Sequence, residues 1–291
     1  MSSSRRILAF LAAAVTTLGG LAVATAPAAH ATFKTEPRLV FIRCGAVCDL
    51  YSMKTDGTGV KQITHQTSGN DVDFGHISPD GKMVVMEIGD DIYTANIDGS
   101  HMRNITKTAS SYEYDPSFSP DGKKVIYINY PTGQAGRLET RNIDGSGKKS
   151  FFKNDGVDEP VFSPDGKWIA TTGETKSGDE EIYVMHADGS GVVRVTHRSG
   201  YDYMGTWSPD GSRISWYGDS NIFTARPDGT HMQQLTSSGN IGYAPWYTPD
   251  GKRIYYSDNT SGTSHIYSMD TSGGHIKQLT ASGSNDYVIG G

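Results

Sequence analysis

One five-residue word constrains this chain more than any other feature. Ser-Pro-Asp-Gly-Lys stands at residues 78–82 and returns at 119–123 and 163–167. Near-copies follow at 208–212 (Ser-Pro-Asp-Gly-Ser) and 248–252 (Thr-Pro-Asp-Gly-Lys). Its acids, Asp80, Asp121, Asp165, Asp210 and Asp250, are spaced by 41, 44, 45 and 40 residues. A second marker, Asp-Gly followed by Ser or Thr, begins at Asp56, Asp98, Asp144, Asp188 and Asp228, with a degenerate copy at Asp270. Its steps are 42, 46, 44, 40 and 42. Two markers that share one period and alternate strictly define an internal repeat.

A unit of 40–45 residues with four short strands is the signature of a propeller blade. In the second full unit, Lys-Val-Ile-Tyr-Ile-Asn-Tyr (124–130) is dense in β-branched and aromatic residues, residues 137–143 alternate, and 148–153 close the unit. No window beyond the N-terminus carries a helical period. The repeated words read as turns. Pro presets φ at the second turn position, Asp tolerates the third, and Gly accepts the left-handed conformation, which gives a type I turn closed by a glycine bulge. Acids one blade apart are too far from one another to share a metal ion, so turn chemistry accounts for them.

Six Asp-Gly hairpins accompany only five Pro-Asp-Gly turns. The first unit starts at residues 38–43, which align with second strands, so its innermost strand is missing. Residues 287–291 align with the innermost strand at 243–247, because Tyr287 follows Thr280 at the interval by which Tyr243 follows Thr236. The expected fold is therefore all-β: a six-bladed β-propeller whose C-terminal strand completes blade 1.

The pattern Pro-Ser-Phe-Ser-Pro-Asp-Gly-Lys-Lys-Val-Ile-Tyr-Ile-Asn, followed by Leu-Glu-Thr-Arg-Asn-Ile-Asp-Gly-Ser-Gly, resembles the WD-repeat-like propeller of the TolB family over roughly residues 34–291. The resemblance implies six blades, closure by a C-terminal innermost strand, and protein binding in the cell envelope. It does not extend to the α/β domain that precedes the propeller in TolB, since few residues separate Thr32 from the first strand. Related repeats accompany hydrolase domains and occur in carbohydrate-active lyases, so the resemblance bears on fold more than on function.

Residues 1–31 read as a secretion signal. Arg5 and Arg6 precede an apolar core at 7–15, and Ala29 and Ala31 occupy the small-residue positions of a cleavage site after Ala31. The alternative is an uncleaved anchor, and the choice between Sec and twin-arginine export stays open. The expected location is secreted or periplasmic, with no membrane span in the mature chain. Export suits a disulfide between Cys44 and Cys48, the chain's only cysteines. The chain holds 26 Lys and Arg against 32 Asp and Glu, net charge −6, without a basic cluster; nucleic acid is not an expected partner.

No nucleophile elbow, Walker loop, HExxH or calcium loop is present, so no catalytic residue and no metal site is assigned. His76 alone among the histidines falls on an innermost strand; its equivalents are Ser117, Val161, Thr206 and Trp246. Seven residues before each turn acid lie Asp73, Tyr114, Asp158, Tyr203 and Tyr243, with Tyr287 as the aligned sixth; Asp115 and Glu159 come one residue later. These positions enter the innermost strands and should converge on one mouth of the central channel. Tyr offers flat apolar area with a hydroxyl, and clustered acids suit a cation such as Ca²⁺ or a basic segment. The expectation is a monomeric, non-catalytic binding or scaffold propeller that needs no cofactor and takes a protein, peptide or glycan at Asp73, His76, Tyr114, Asp115, Asp158, Glu159, Tyr203, Tyr243 and Tyr287. The alternative is a carbohydrate-active lyase or hydrolase using the same acids.

Overall fold

The computed structural model describes residues 37–290, apart from 154, 155, 238 and 240, and omits the side chains of 152, 153 and 242–244. The proposed signal lies outside the described residues. No described helix is long and apolar enough to cross a membrane.

Six four-stranded antiparallel sheets form the propeller. Five are meanders built from consecutive strands, with innermost strands Val72–Ile77, Ser111–Phe118, Val157–Phe162, Asp202–Trp207 and Ile241–Tyr247. Blade 1 is composite. Asn285–Gly290 is its innermost strand and pairs with Arg38–Cys44, which pairs in turn with Cys48–Lys54, then Lys61–Gln62. Closure is reinforced by a two-point ion pair: Arg43 Nε donates to Asp286 Oδ1 at 2.7 Å and Nη2 to Oδ2 at 3.0 Å. The Asp286 side chain is fully buried, which strengthens the pair. Cys44 and Cys48 are disulfide-bonded across the hairpin that joins the first two strands of the chain.

The core is divided into wedges, each between two blades. Val84, Met86 and Ile88 of the second strand Met83–Ile88 face Val40, Ile42 and Leu50 of blade 1. Val85, between them, faces Phe118, Val125 and Tyr127 of blade 3. A strand buried on both faces reads as a continuous apolar run, which is why the second strands are the strongest in the sequence.

The turn words do what their chemistry predicts. Ser78 N–H donates to Met83 O at 2.9 Å, Gly81 N–H donates to Ser78 O at 2.8 Å, and Gly81 sits at φ 71°. Asp80 Oδ1 locks the loop by accepting from Ser78 Oγ at 2.8 Å and Lys82 N–H at 3.1 Å. The Asp-Gly turn has a second task that spacing did not reveal. A Cβ on Gly99 would lie 2.3 Å from Ile63 O of the preceding blade. The same abutment recurs at Gly145 with Ile105, Gly229 with Val195, Gly273 with Leu235 and, across the closure, Gly57 with Leu279. Five of the six outer turns thus interlock with a neighbour, where a side chain would collide.

The outermost strands are mostly two residues long, such as Arg103–Asn104 and Gln233–Gln234. The Thr that follows takes over the pairing. Thr64, Thr106, Thr196, Thr236 and Thr280 each accept, through Oγ1, a backbone N–H from the second or third residue of the third strand, at 2.9–3.0 Å. Short polar outer strands leave little edge for another sheet to join.

Candidate binding site at the channel mouth

Chain direction separates the two ends of the propeller. The Pro-Asp-Gly and Asp-Gly turns fall on one end. The entries to the innermost strands, the exits of the second strands and the hairpins between second and third strands fall on the other. The candidate residues occupy this second end.

Local sequence shapes the entry. Pro116 and Pro160 interrupt two innermost strands, and a proline has no N–H to give the ladder. Register shifts follow, between Tyr114 and Ser117 and between Asp158 and Val161. Within these bulges Asp115 and Glu159 take left-handed backbone angles, φ 51° and 54°. Such conformations cost non-glycine residues about 1–3 kcal/mol each, and they cluster where a site requires a particular aim.

The resulting acids are linked around the mouth from blade to blade. Glu87 Oε2, on blade 2, accepts the N–H of Asp115 at 3.3 Å. Asp115 Oδ2, on blade 3, accepts the N–H of Glu159 at 3.1 Å. Glu159 Oε2, on blade 4, accepts from Thr172 Oγ1 at 3.0 Å, and that oxygen accepts the Met204 N–H of blade 5 at 2.8 Å. Burial and neighbouring negative charge raise the affinity of these groups for protons. Desolvation, then Asp158, pushes Asp115 up to about 7. Desolvation, then Asp115, holds Glu87 well above the usual carboxylate range. Desolvation, then Asp115 and Asp158, does the same to Glu159. Asp73 stands exposed at the rim and is raised by partial desolvation and Asp71. Tyr203 is raised by desolvation and by its hydrogen bond to Glu180, with Glu159 and Asp158 adding to the effect.

The structure therefore brings Asp73, Asp115, Asp158, Glu159 and Tyr203 into one electrostatic cluster. Tyr114 is half-buried and packs against the wedge containing Ile126 and Val157. Tyr287 is half-buried on the closing strand. The backbone of Tyr243 pairs with Ser257, and its side chain lies outside the described residues. His76 lies deeper. Its ring is 4.9 Å from Trp246, accepts the Phe118 N–H through Nδ1 at 3.3 Å, and is pulled down to about 4 by burial, so it is neutral.

The layer around His76 is tightly closed. Ser117 Oγ donates to Pro160 O of the next innermost strand at 2.6 Å, and a Cβ on Gly205 would lie 2.3 Å from Pro245 O. Ser117, Val161, Thr206 and Trp246 are buried.

Glu87 and Glu180 were missed from sequence. Both lie off the innermost strands, Glu87 on a second strand and Glu180 on a third. Glu87 lies as far after Asp80 as Asp73 lies before it. An antiparallel hairpin brings such positions together, and Glu87 indeed pairs beside Asp73, opposite Phe74. Counting in both directions from each turn would have found it. Among the described residues no three His, Cys, Asp or Glu side chains are arranged to hold a metal ion.

No family model matches the chain. A TolB homologue from Chlorobium luteolum is 30% identical over 126 residues, covering 43% of this chain and 28% of that protein. The chain spans less than half the length of the first curated relatives it matches. Among solved structures, TolB from Acinetobacter baumannii superposes with a TM-score of 0.75 at 19% identity, over 88% of this chain and 67% of that one. An oligogalacturonate lyase in complex with manganese reaches 0.58 at 17% identity, over 84% and 73%. By strand order, closure and superposition, the chain has the TolB-type fold, a six-bladed β-propeller completed by its C-terminal strand.

Proposed function

We propose that this chain is an exported, monomeric, non-catalytic binding propeller. In this reading residues 1–31 direct it to the periplasm or beyond, residues 34–291 form a single propeller, and the mouth recognises a protein, peptide or glycan. The supporting observation is the linked set of carboxylates, Glu87, Asp115 and Glu159, raised by desolvation and then by neighbouring negative charge, with Asp115 and Glu159 carried on left-handed backbone at the mouth. Buried carboxylates with strongly perturbed proton affinity, held at a cost in stability, are the pattern of a site kept for a ligand. The likeness to TolB, a binding or scaffold propeller of the Tol–Pal system, supports the same reading.

The test is capture of partners from envelope extract and culture fluid by immobilised protein. Wild type and the Asp115→Asn/Glu159→Gln double variant are compared, with and without calcium chelation. A partner retained by wild type and lost by the folded variant supports the mouth. Equal retention rejects it.

The lyase likeness favours a second reading, in which mouth acids act on a carbohydrate. Cleavage of an oligosaccharide by wild type, lost in Glu159→Gln, would replace the binding reading with this one.

A further inference from the structure

The blade-5 sector of the mouth carries three tyrosines, of which only Tyr217 also packs against a core wedge, the one holding Ile241 and Tyr256. Tyr201 precedes the innermost strand Asp202–Trp207, Tyr203 lies within it, and Tyr217 pairs with Tyr203 from the second strand Ile214–Gly218. Their rings form a ladder. The Tyr201 and Tyr203 centroids are 6.3 Å apart with planes at 13°, and those of Tyr203 and Tyr217 are 6.1 Å apart at 25°.

Tyr201 is 56% exposed, yet its backbone is fixed on both sides. Glu180 N–H donates to Gly200 O at 3.2 Å, and Gly200 N–H donates to Asp179 Oδ1 at 3.1 Å. Glu180 also forms a parallel bridge with Tyr201 itself. The next residue, Asp202, is 2% exposed and lies beneath Arg198, whose guanidinium packs 4.0 Å over Phe223. An aromatic face held rigidly in solvent loses little entropy when a ligand covers it.

The charge beside the ladder selects the ligand. The Tyr203 hydroxyl bonds to Glu180, and the Glu159 and Asp158 carboxylates act on the same group. A flat π-face next to carboxylates fits one side chain better than others. An arginine guanidinium lies flat on an aromatic ring and presents a fork of N–H donors to a carboxylate. A lysine ammonium matches the charge without the plane, and a neutral sugar matches the plane without the charge. We propose that the Tyr201–Tyr203–Tyr217 ladder and the Glu180 carboxylate form a subsite for an arginine side chain of an extended peptide segment entering the mouth. The inference rests on the binding reading of the mouth and names its ligand class.

The test is fluorescence anisotropy with labelled Gly-Arg-Gly-Arg-Gly, its lysine and citrulline counterparts, and a neutral oligosaccharide as competitor. The arginine peptide should bind tightest and the citrulline peptide weakest. Tyr201→Ala should weaken the arginine peptide about 3–5-fold and the lysine peptide by less than about twofold, while Tyr201→Phe restores binding. Glu180→Gln should weaken both cationic peptides. Equal affinity for arginine and lysine peptides, unmoved by Tyr201→Ala, overturns the inference. So does tyrosine-dependent binding of the oligosaccharide in place of the peptide. If Asp115→Asn/Glu159→Gln abolishes arginine-peptide binding while Tyr201→Ala leaves it intact, the subsite falls and the binding reading of the mouth stands. If neither variant matters, both fall.

Discussion

The two ends of the propeller are built on opposite rules. At the turn end one solution is copied around the ring. A Ser or Thr hydroxyl, an Asp and a Gly close each Pro-Asp-Gly loop, and their carboxylates are held below the usual range by the hydrogen bonds they accept. At the mouth end the repeat dissolves. Equivalent positions hold Phe74, Asp115, Glu159 and Met204, and the acids among them are raised rather than lowered. Where a sequence repeats, each copy answers the same packing demand. Where the copies diverge around one axis, no common packing demand fixes them.

Five experiments can break or sharpen this contrast, in order of expected effect. Deletion of residues 285–291 removes the innermost strand of blade 1 together with the Asp286 partner of Arg43. Cooperative melting by circular dichroism should be lost; a melting point near wild type would show that closure carries little stability. Gly99→Ala forces a Cβ onto Ile63 O and a side chain onto positive φ. It should cost about 2–4 kcal/mol in urea unfolding while leaving mouth ligands untouched once folded.

Substitution at the mouth should have the reverse sign. Asp115→Asn and Glu159→Gln remove repelling charges from desolvated positions and should stabilise the fold by about 1–2 kcal/mol each. Destabilisation by both would mean that the acids are structural and that the two ends obey one rule. The same charges set a pH dependence. Folded Asp115 holds its proton up to about 7, whereas its ordinary value is 3.8. Between those values the folded state binds more protons than the unfolded one. Stability should therefore be highest near the acid side of that window, fall as pH rises towards about 7, and level off above it. Calorimetry should show this slope in wild type and a shallower one in Asp115→Asn. Smallest is the effect of one turn acid. Asp80→Ala loses two hydrogen bonds in one of five equivalent loops and should cost about 1 kcal/mol by thermal melting.

The fold was legible because its punctuation is local. Pro-Asp-Gly needs no tertiary information to specify a turn, and the mismatch between the two words exposed the composite first blade. The mouth was legible only along the strands being counted. Asp115 and Glu159 lie on those strands, but Glu87 and Glu180 reach the same end from other strands, and their meeting depends on pairing and blade packing. Nor could spacing reveal that Gly99 serves its neighbour as well as its own turn. A positive φ and a close approach both demand glycine, so the second demand leaves no extra mark in the sequence.

The composite first blade also sets the order of assembly. Residue 43 must wait for residue 286 to emerge before the two can meet, and every blade between them is synthesised first. Until then the edge of Arg38–Cys44 stands open, and the ring is an arc with two unsatisfied ends. Contacts this distant in sequence form slowly. The ring therefore cannot clasp until the strand Asn285–Gly290 is available, however well the blades between are already folded.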